Sequence, residues 1–133
     1  MKLIVAGTRY IKNPDNHQEV RDYTKEELAA IFEQLDIIHA ETPITMIVSG
    51  GARGADAIGE YWANSRKIPV EPFKVSKEEW AKSKAAGHLR NARMAEFGDE
   101  LLLIWDGIST GSKNMLENMK KRDKPYKVFY VYF

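Results

Sequence analysis

Short apolar runs alternate with segments of helical period along the whole of this 133-residue chain, and that alternation limits the fold more than any other feature. Strands that follow one another through helices at this spacing pair in parallel through right-handed crossovers. The expected class is therefore α/β, a three-layer sandwich around a mainly parallel central sheet of about five strands. Strands are expected over residues 2–6, 44–49, 70–73, 101–105 and 126–132, and helices over residues 54–66, 88–97 and 112–122. A further helix starts at Thr24, where Glu27 completes a capping box, and carries Leu28, Ile31, Phe32, Leu35 and Ile38 on one face.

The most apolar run, Leu101 to Trp105, lacks polar alternation and reads as a central strand buried on both faces. Residues 10–23 read as a long polar loop with Asn13-Pro14-Asp15-Asn16 as turn chemistry. Residues 76–86 form a lysine-rich helix or loop around Trp80, broken at Gly87. Neither an internal repeat nor an interdomain linker is present, so residues 1–133 are expected to form a single domain.

In open parallel sheets, ligands bind outside the carboxyl ends of the strands. Three polar, glycine-containing turns fall at that edge: Gly7-Thr8-Arg9, the stretch from Ser49 to Asp56, and the stretch from Asp106 to Ser112. The second turn, Ser49-Gly50-Gly51-Ala52-Arg53-Gly54-Ala55-Asp56, joins a strand to a helix. Glycines there let backbone approach a ligand, and the N–H groups of a helix start attract anions, phosphate above all. It is not a Walker A loop, because no Gly-Lys-Ser/Thr follows, nor the dinucleotide fingerprint, because its first two glycines are adjacent. Arg9 has the fork geometry to hold a phosphate or carboxylate, or else makes a surface ion pair. Asp56 in the first helical turn either complements the helix dipole or holds a ribose hydroxyl. Glu60 shares its face, as a partner in acid–base chemistry or as solvated surface. Trp80 and Trp105 read first as core residues, with Trp105 the better placed of the two to touch a base.

Composition removes several classes. Without cysteine there is no disulfide, thiolate nucleophile or cysteine-rich zinc site. His17, His39 and His88 lack ligand spacing, so no metal is expected, and nothing calls for a cofactor. The apolar run from Leu3 to Ala6 is too short for a signal-peptide core or a membrane span, which leads to the expectation of a cytoplasmic protein that does not engage a membrane. A net charge of +1 makes nucleic acid an unlikely partner. Residues 74–94 nonetheless hold six basic residues (Lys74, Lys77, Lys82, Lys84, Arg90 and Arg93) against Glu78 and Glu79. The aromatic end, residues 128–133, is either a self-association surface, which would make a homo-oligomer, or a last strand buried against its own helices.

Four segments occur in order: Gly7-Thr8-Arg9; Ser49 to Asp56; Lys84-Ala85-Ala86-Gly87 with Arg90-Asn91 and Met94; and Trp105-Asp106-Gly107 with Gly111-Ser112. Together they resemble the SLOG superfamily of Rossmann-like domains, in its YspA/cpYpsA-related branch, over nearly the whole chain. The resemblance implies a nucleotide or nucleotide-derived phosphate ligand, held in a sensing or sequestering role. Gly50, Gly51 and Gly54 would then offer backbone donors and Ser49 a hydroxyl to a phosphate. Arg9, Arg53 and Arg90 would supply charge, and Gly107, Ser109, Gly111 and Ser112 would close the other side. Asp56 or Asp106 would hold ribose hydroxyls.

Relatives of that superfamily, the LOG-type phosphoribohydrolases, cleave the base from a nucleoside 5′-monophosphate. Their Met-His-x-Arg-Lys segment is similar to His88-Leu89-Arg90-Asn91, with asparagine in place of lysine. Their Pro-Gly-Gly-x-Gly-Thr-x-x-Glu segment is similar to the stretch from Asp106 to Met115, and the catalytic glutamate falls on Met115. Glu117 points to a different helix face. The alternative reading, an N-glycoside hydrolase or phosphoribosyl-transferring enzyme, would rest on Asp56 and Arg90 as catalytic residues, with Asp106 in support. A further alternative follows from the DNA-processing protein DprA, which contains a related fold: nucleic-acid binding through the basic stretch.

Overall fold

The computed structural model describes residues 1–83 and 85–133; Lys84, part of the basic stretch and of the third segment named above, lies outside the described residues. Five parallel strands form one sheet: β1 (Lys2–Gly7), β4 (Met46–Ser49), β5 (Val70–Pro72), β6 (Glu100–Trp105) and β7 (Tyr126–Tyr130), in the order β5-β4-β1-β6-β7. The sheet is thus wholly parallel, and β1 rather than β6 is its middle strand. Leu3, Ile4 and Val5 are fully buried, as expected where both faces of a strand are covered. β6 lies beside it, with Val5 opposite Leu102 and Gly7 opposite Ile104.

Helices cover both faces. Against one face, α1 (Lys25–Glu41) and α2 (Ala55–Ser65) bury Ile31, Leu35, Ile58 and Trp62 on Leu3, Val5, Ile47 and Leu102. Against the other, α4 (Ala86–Phe97) and α5 (Thr110–Lys121) bury Met94, Met115 and Met119 on Ile4, Ala6, Val48 and Leu103. The alternation of side chains along β1 explains the two cores: odd-numbered residues face one helix layer and even-numbered ones the other. α1 begins as its sequence requires. The Thr24 hydroxyl accepts from the Glu27 N–H at 3.1 Å, while the Glu27 carboxylate accepts from the Thr24 N–H at 2.9 Å.

Two segments differ from the sequence expectation. Residues 10–23 hold a small antiparallel hairpin, β2 (Ile11–Lys12) and β3 (Val20–Arg21), within what reads as loop. Ile11 is fully buried, and Arg21 pairs with Glu27 at 2.7 Å and donates to the carbonyls of Tyr132 and Phe133. Strands of two residues carry no periodicity, so only these tertiary anchors define them. The other difference is at Gly87. The short helix α3 (Lys77–Lys82) ends before it, and Gly87 lies inside the first turn of α4. A Cβ there would sit 2.9 Å from the Trp80 ring, so the glycine serves the packing of α3 on α4 rather than a break.

Chain order reverses between β1 and β6: β4 and β5 extend the sheet to one side, β6 and β7 to the other. That switch point opens a crevice at the carboxyl ends of the strands. Gly7 closes the floor of the crevice. Its φ of +149° is unsuited to a side chain, and a Cβ would overlap the carbonyl of Ile104 across the ladder. Replacing Gly7 by alanine is expected to destabilise the fold by about 3 kcal/mol or more. Gly111, where a Cβ meets nothing within 4 Å, should tolerate alanine within about 0.5 kcal/mol. Urea denaturation of the two variants measures the contrast.

Candidate functional site

The crevice at the switch point is a cavity of about 400 Å³, within the roughly 300–1,000 Å³ usual for small-molecule sites. Gly7, Thr8 and Arg9 from the end of β1 form its floor, and Thr110, Gly111 and Ser112 at the start of α5 form one wall. Arg90 from α4 and Asp56 from α2 form another side, and Asn91 of α4 joins it to the α5 wall. Tyr10, Lys12 and Val20 of the hairpin and Trp80 of α3 stand at the mouth.

Thr8 holds these parts together. It is only 1% exposed. Its N–H donates to the Ile104 carbonyl at 2.8 Å, and its carbonyl accepts from the Tyr23 hydroxyl at 2.6 Å and the Ala55 N–H at 3.3 Å. Its hydroxyl accepts from the Asp106 N–H at 3.1 Å and contacts the Ser109 hydroxyl at 3.5 Å. Gly54 completes the junction: at φ +73° it lets α2 start directly against the Thr8 and Arg9 carbonyls, 2.5 Å from where a Cβ would stand.

Several residues singled out in the sequence are committed to structure. The Asp106 carboxylate accepts from the N–H groups of Ile108, Ser109 and Lys12 and from the Ser109 hydroxyl. Burial pushes its pKa up, but those hydrogen bonds outweigh burial and hold it below the usual carboxylate range. It is therefore an organiser of the third turn and does not line the cavity, and neither does Gly107. Ser49 donates its hydroxyl to Glu60 at 2.8 Å and accepts from the Gly51 N–H at 3.1 Å. The Ala52 N–H goes to Asp56 at 3.2 Å. Two amides of the glycine turn are thus consumed internally. Arg53 lies outside the cavity and donates to the Tyr10 hydroxyl at 2.9 Å.

Open donors occur instead at α5. The first helical hydrogen bond there runs from the Lys113 N–H to the Ser109 carbonyl, so the amides of Thr110, Gly111 and Ser112 have no partner within the helix. All three residues line the cavity. Gly111 leaves the approach to them open.

Opposite stands a charged pair. Asp56 is 4% exposed, and burial raises its pKa to about 6 against the opposing pull of the Ala52 N–H and of Arg90. Arg90 is half-buried, donating Nη1 to the Gly50 carbonyl at 2.9 Å and Nε to Asn91 at 3.2 Å. Burial also lowers the Arg90 pKa, with Asp56 opposing. Gly50 lies between the two: a Cβ would fall 2.5 Å from Arg90 Nη1 and 2.8 Å from Asp56 Oδ2. Asn91 in turn donates to the Gly111 carbonyl at 3.3 Å and to Asn114 at 3.0 Å, which fixes α4 against the start of α5.

Sequence reasoning missed the hairpin residues, and of two tryptophans read first as core it ranked Trp105 above Trp80 as a base contact. Trp80, 44% exposed, lines the cavity. Trp105 stacks on Tyr130 at 6.1 Å and donates to the Ser109 carbonyl, away from the cavity. The useful signal was Gly87, which leaves room for the Trp80 ring. Met115 lines the cavity at 1% exposure, while Glu117 is exposed on another face of α5. Among the described residues of the basic stretch, Arg90 turns into the crevice, Lys74 lines a smaller space beside it and Arg93 pairs with Glu79 at 3.8 Å. Among the described residues no helix is long and apolar enough to cross a membrane.

A doubly wound parallel sheet with a cavity at its switch point defines a Rossmann-like α/β fold. The chain belongs to the YspA, cpYpsA-related SLOG family, whose model matches residues 1–82. It is 34% identical over 97 residues to the Gene 61 protein of Mycobacterium phage D29, a match that covers 68% of this chain and 75% of the phage protein. No solved structure matches it significantly.

Asp56 generates a pH prediction. Its folded pKa of about 6 lies above the unfolded value of 3.8, so the folded state binds the proton more tightly and this group's contribution to stability falls as pH rises between those values. Above about pH 6 the penalty is fully present, at most about 3 kcal/mol. Asp56→Asn should therefore be more stable than the parent at pH 7.5, and the difference should vanish near pH 3.5. Urea midpoints of both proteins across this range check it.

Proposed function

We propose that the chain, as one domain, binds a nucleotide or nucleotide-derived phosphate compound in the switch-point cavity and serves by holding that ligand, as a sensor or a sequestering protein. The observation that carries this reading is the convergence of three α5 amides, without partners among the described residues, with Arg90 and Arg9 in one cavity that has Trp80 at its mouth. Helix N-termini are anion sites, arginine forks match phosphate oxygens, and an exposed indole offers a stacking face to a base. Gly111 and Ser112 supply the amides, Arg90 and Arg9 the charge, and Asp56 a ribose acceptor. The glycine turn contributes by placing Arg90 and Asp56, since the Gly51 amide is already used. Family membership supports a nucleotide-related ligand.

Holding is favoured over cleavage by two features. Asp56 is the one carboxylate among the described residues lining the cavity, whereas glycoside cleavage commonly divides acid and base roles between two. Met115 occupies the cavity wall where the hydrolases have a glutamate, and a thioether neither activates water nor stabilises positive charge as a carboxylate does.

Thermal unfolding with AMP, GMP, UMP, CMP, ADP-ribose and NAD tests the reading. A ligand at 100 times its Kd adds about 2.7 kcal/mol, a rise of roughly 10 °C for a domain of this size. Arg90→Ala should weaken the effective ligand by about tenfold or more. A midpoint unmoved by every compound at millimolar concentration overturns it.

The raised pKa of Asp56 favours a second reading, hydrolysis of the N-glycosidic bond, because a carboxyl near pH 6 can deliver a proton to a leaving base. Chromatography of nucleoside monophosphates incubated with the protein decides it. Free base released by the parent and lost in Asp56→Asn establishes turnover, and intact nucleotide after saturating binding excludes it.

A further inference from the structure

Beside the main cavity lies a smaller chamber of about 130 Å³. Gly50, Gly51 and Ala52 form its base, and Arg9, Lys74 and Arg90 surround it. Arg9, Ala52, Trp80 and Arg90 border both spaces, so the two adjoin along that edge. Lys74 and Gly51 belong to the chamber alone, and the α5 amides to the main cavity alone. The molecule thus has two places for an anion on opposite sides of Arg90.

The chamber is built for a compact negative group. Three cationic side chains gather there, no carboxylate lines it, and among the described residues none of the three forms an ion pair. Asp56 on the main-cavity side offsets Arg90 in part, but Arg9 still works against the Arg90 charge, and two arginines and a lysine outnumber that one carboxylate. The Lys74 stem is seated on bare backbone: a Cβ on Gly51 would stand 2.6 Å from its Cγ and 2.8 Å from its Cε. The turn therefore gives up a side chain at the point where Lys74 crosses it. A space of this size admits a phosphoryl group and excludes a base with its sugar.

We propose that this chamber is a second phosphate subsite, and that the ligand is a nucleotide bearing two phosphoryl groups. One lies at the α5 amides, and the other is held by Arg9, Lys74 and Arg90. The inference rests on the nucleotide-binding reading above and narrows its ligand class. Two linkages satisfy the chemistry, a 5′-diphosphate and a pair of phosphates on separate ribose hydroxyls.

Isothermal titration of AMP, ADP and adenosine 3′,5′-bisphosphate at fixed ionic strength, into the parent and Lys74→Ala, tests it. Lys74 is exposed, and an unchanged unfolding midpoint certifies that the variant folds. ADP or the bisphosphate should bind about tenfold or more tightly than AMP, a gain of one charge-assisted phosphate contact. Whichever gains identifies the linkage, and in Lys74→Ala the ratio of its affinity to that of AMP should drop toward unity. If AMP binds and neither second phosphoryl group adds affinity, or if the ratio survives in Lys74→Ala, the second subsite is wrong while nucleotide binding stands. If none of the three binds, the subsite as proposed fails, whereas the nucleotide-binding reading falls only when every compound of the thermal-unfolding panel is silent as well.

Discussion

Thr8 fastens the end of β1 to the start of α2 and to the turn before α5. Its amide continues the β1–β6 ladder, its carbonyl receives the first amide of α2 and the Tyr23 hydroxyl, and its side chain receives the Asp106 amide. Among the described residues no other touches all three turns in this way through hydrogen bonds of its own. A buried polar residue is tolerated only when its groups are paired, and here the pairing itself sets the distance between α2, α5 and the hairpin. Gly7 before it and Gly54 opposite it make the approach possible by lacking side chains where backbone meets backbone.

From that junction the electrostatic plan follows. The acidic residue of the third turn, Asp106, is saturated with hydrogen bonds and stays ionised, which orders the approach to α5 without presenting charge to the cavity. Asp56 is the reverse: buried with few donors, its charge is costly and its proton is retained to higher pH despite the nearby Arg90. Around it Arg9, Arg90 and Lys74 leave a net positive lining. A lining of positive side chains and open amides, with Met115 where hydrolases carry a carboxylate, suits a ligand whose negative charge persists through binding.

The sheet and its turns were legible because they depend on local pattern. The apolar runs gave the strands, Thr24 and Glu27 gave the start of α1, and the parallel topology followed from the helical segments between strands. The rim of three turns followed from topology alone. What sequence could not reveal was the direction of individual side chains. Arg53 and Arg90 are equally plausible anion ligands in sequence, yet one leans out to Tyr10 and the other lies under Gly50. Ser49 and Asp106 read as ligand groups until their internal partners, Glu60 and the third-turn amides, are known. The hairpin of Ile11–Lys12 and Val20–Arg21 owes its form to Asp106, Glu27 and the chain end, contacts 6 to 112 residues away. Trp80 reads as core because an isolated tryptophan usually is; its exposure comes from its docking on Gly87.

The central claim is that a phosphate-bearing nucleotide occupies the switch-point cavity. Backbone amide NMR of the labelled protein titrated with AMP addresses it residue by residue. The account predicts saturable shifts concentrated at Thr110, Gly111 and Ser112, at Asn91, and at the Trp80 indole, with β7 and the outer face of α1 unmoved. Shifts confined to Tyr130 and Tyr132, or spectra unchanged at millimolar AMP and equally unchanged with the other nucleotides of the panel, would contradict it.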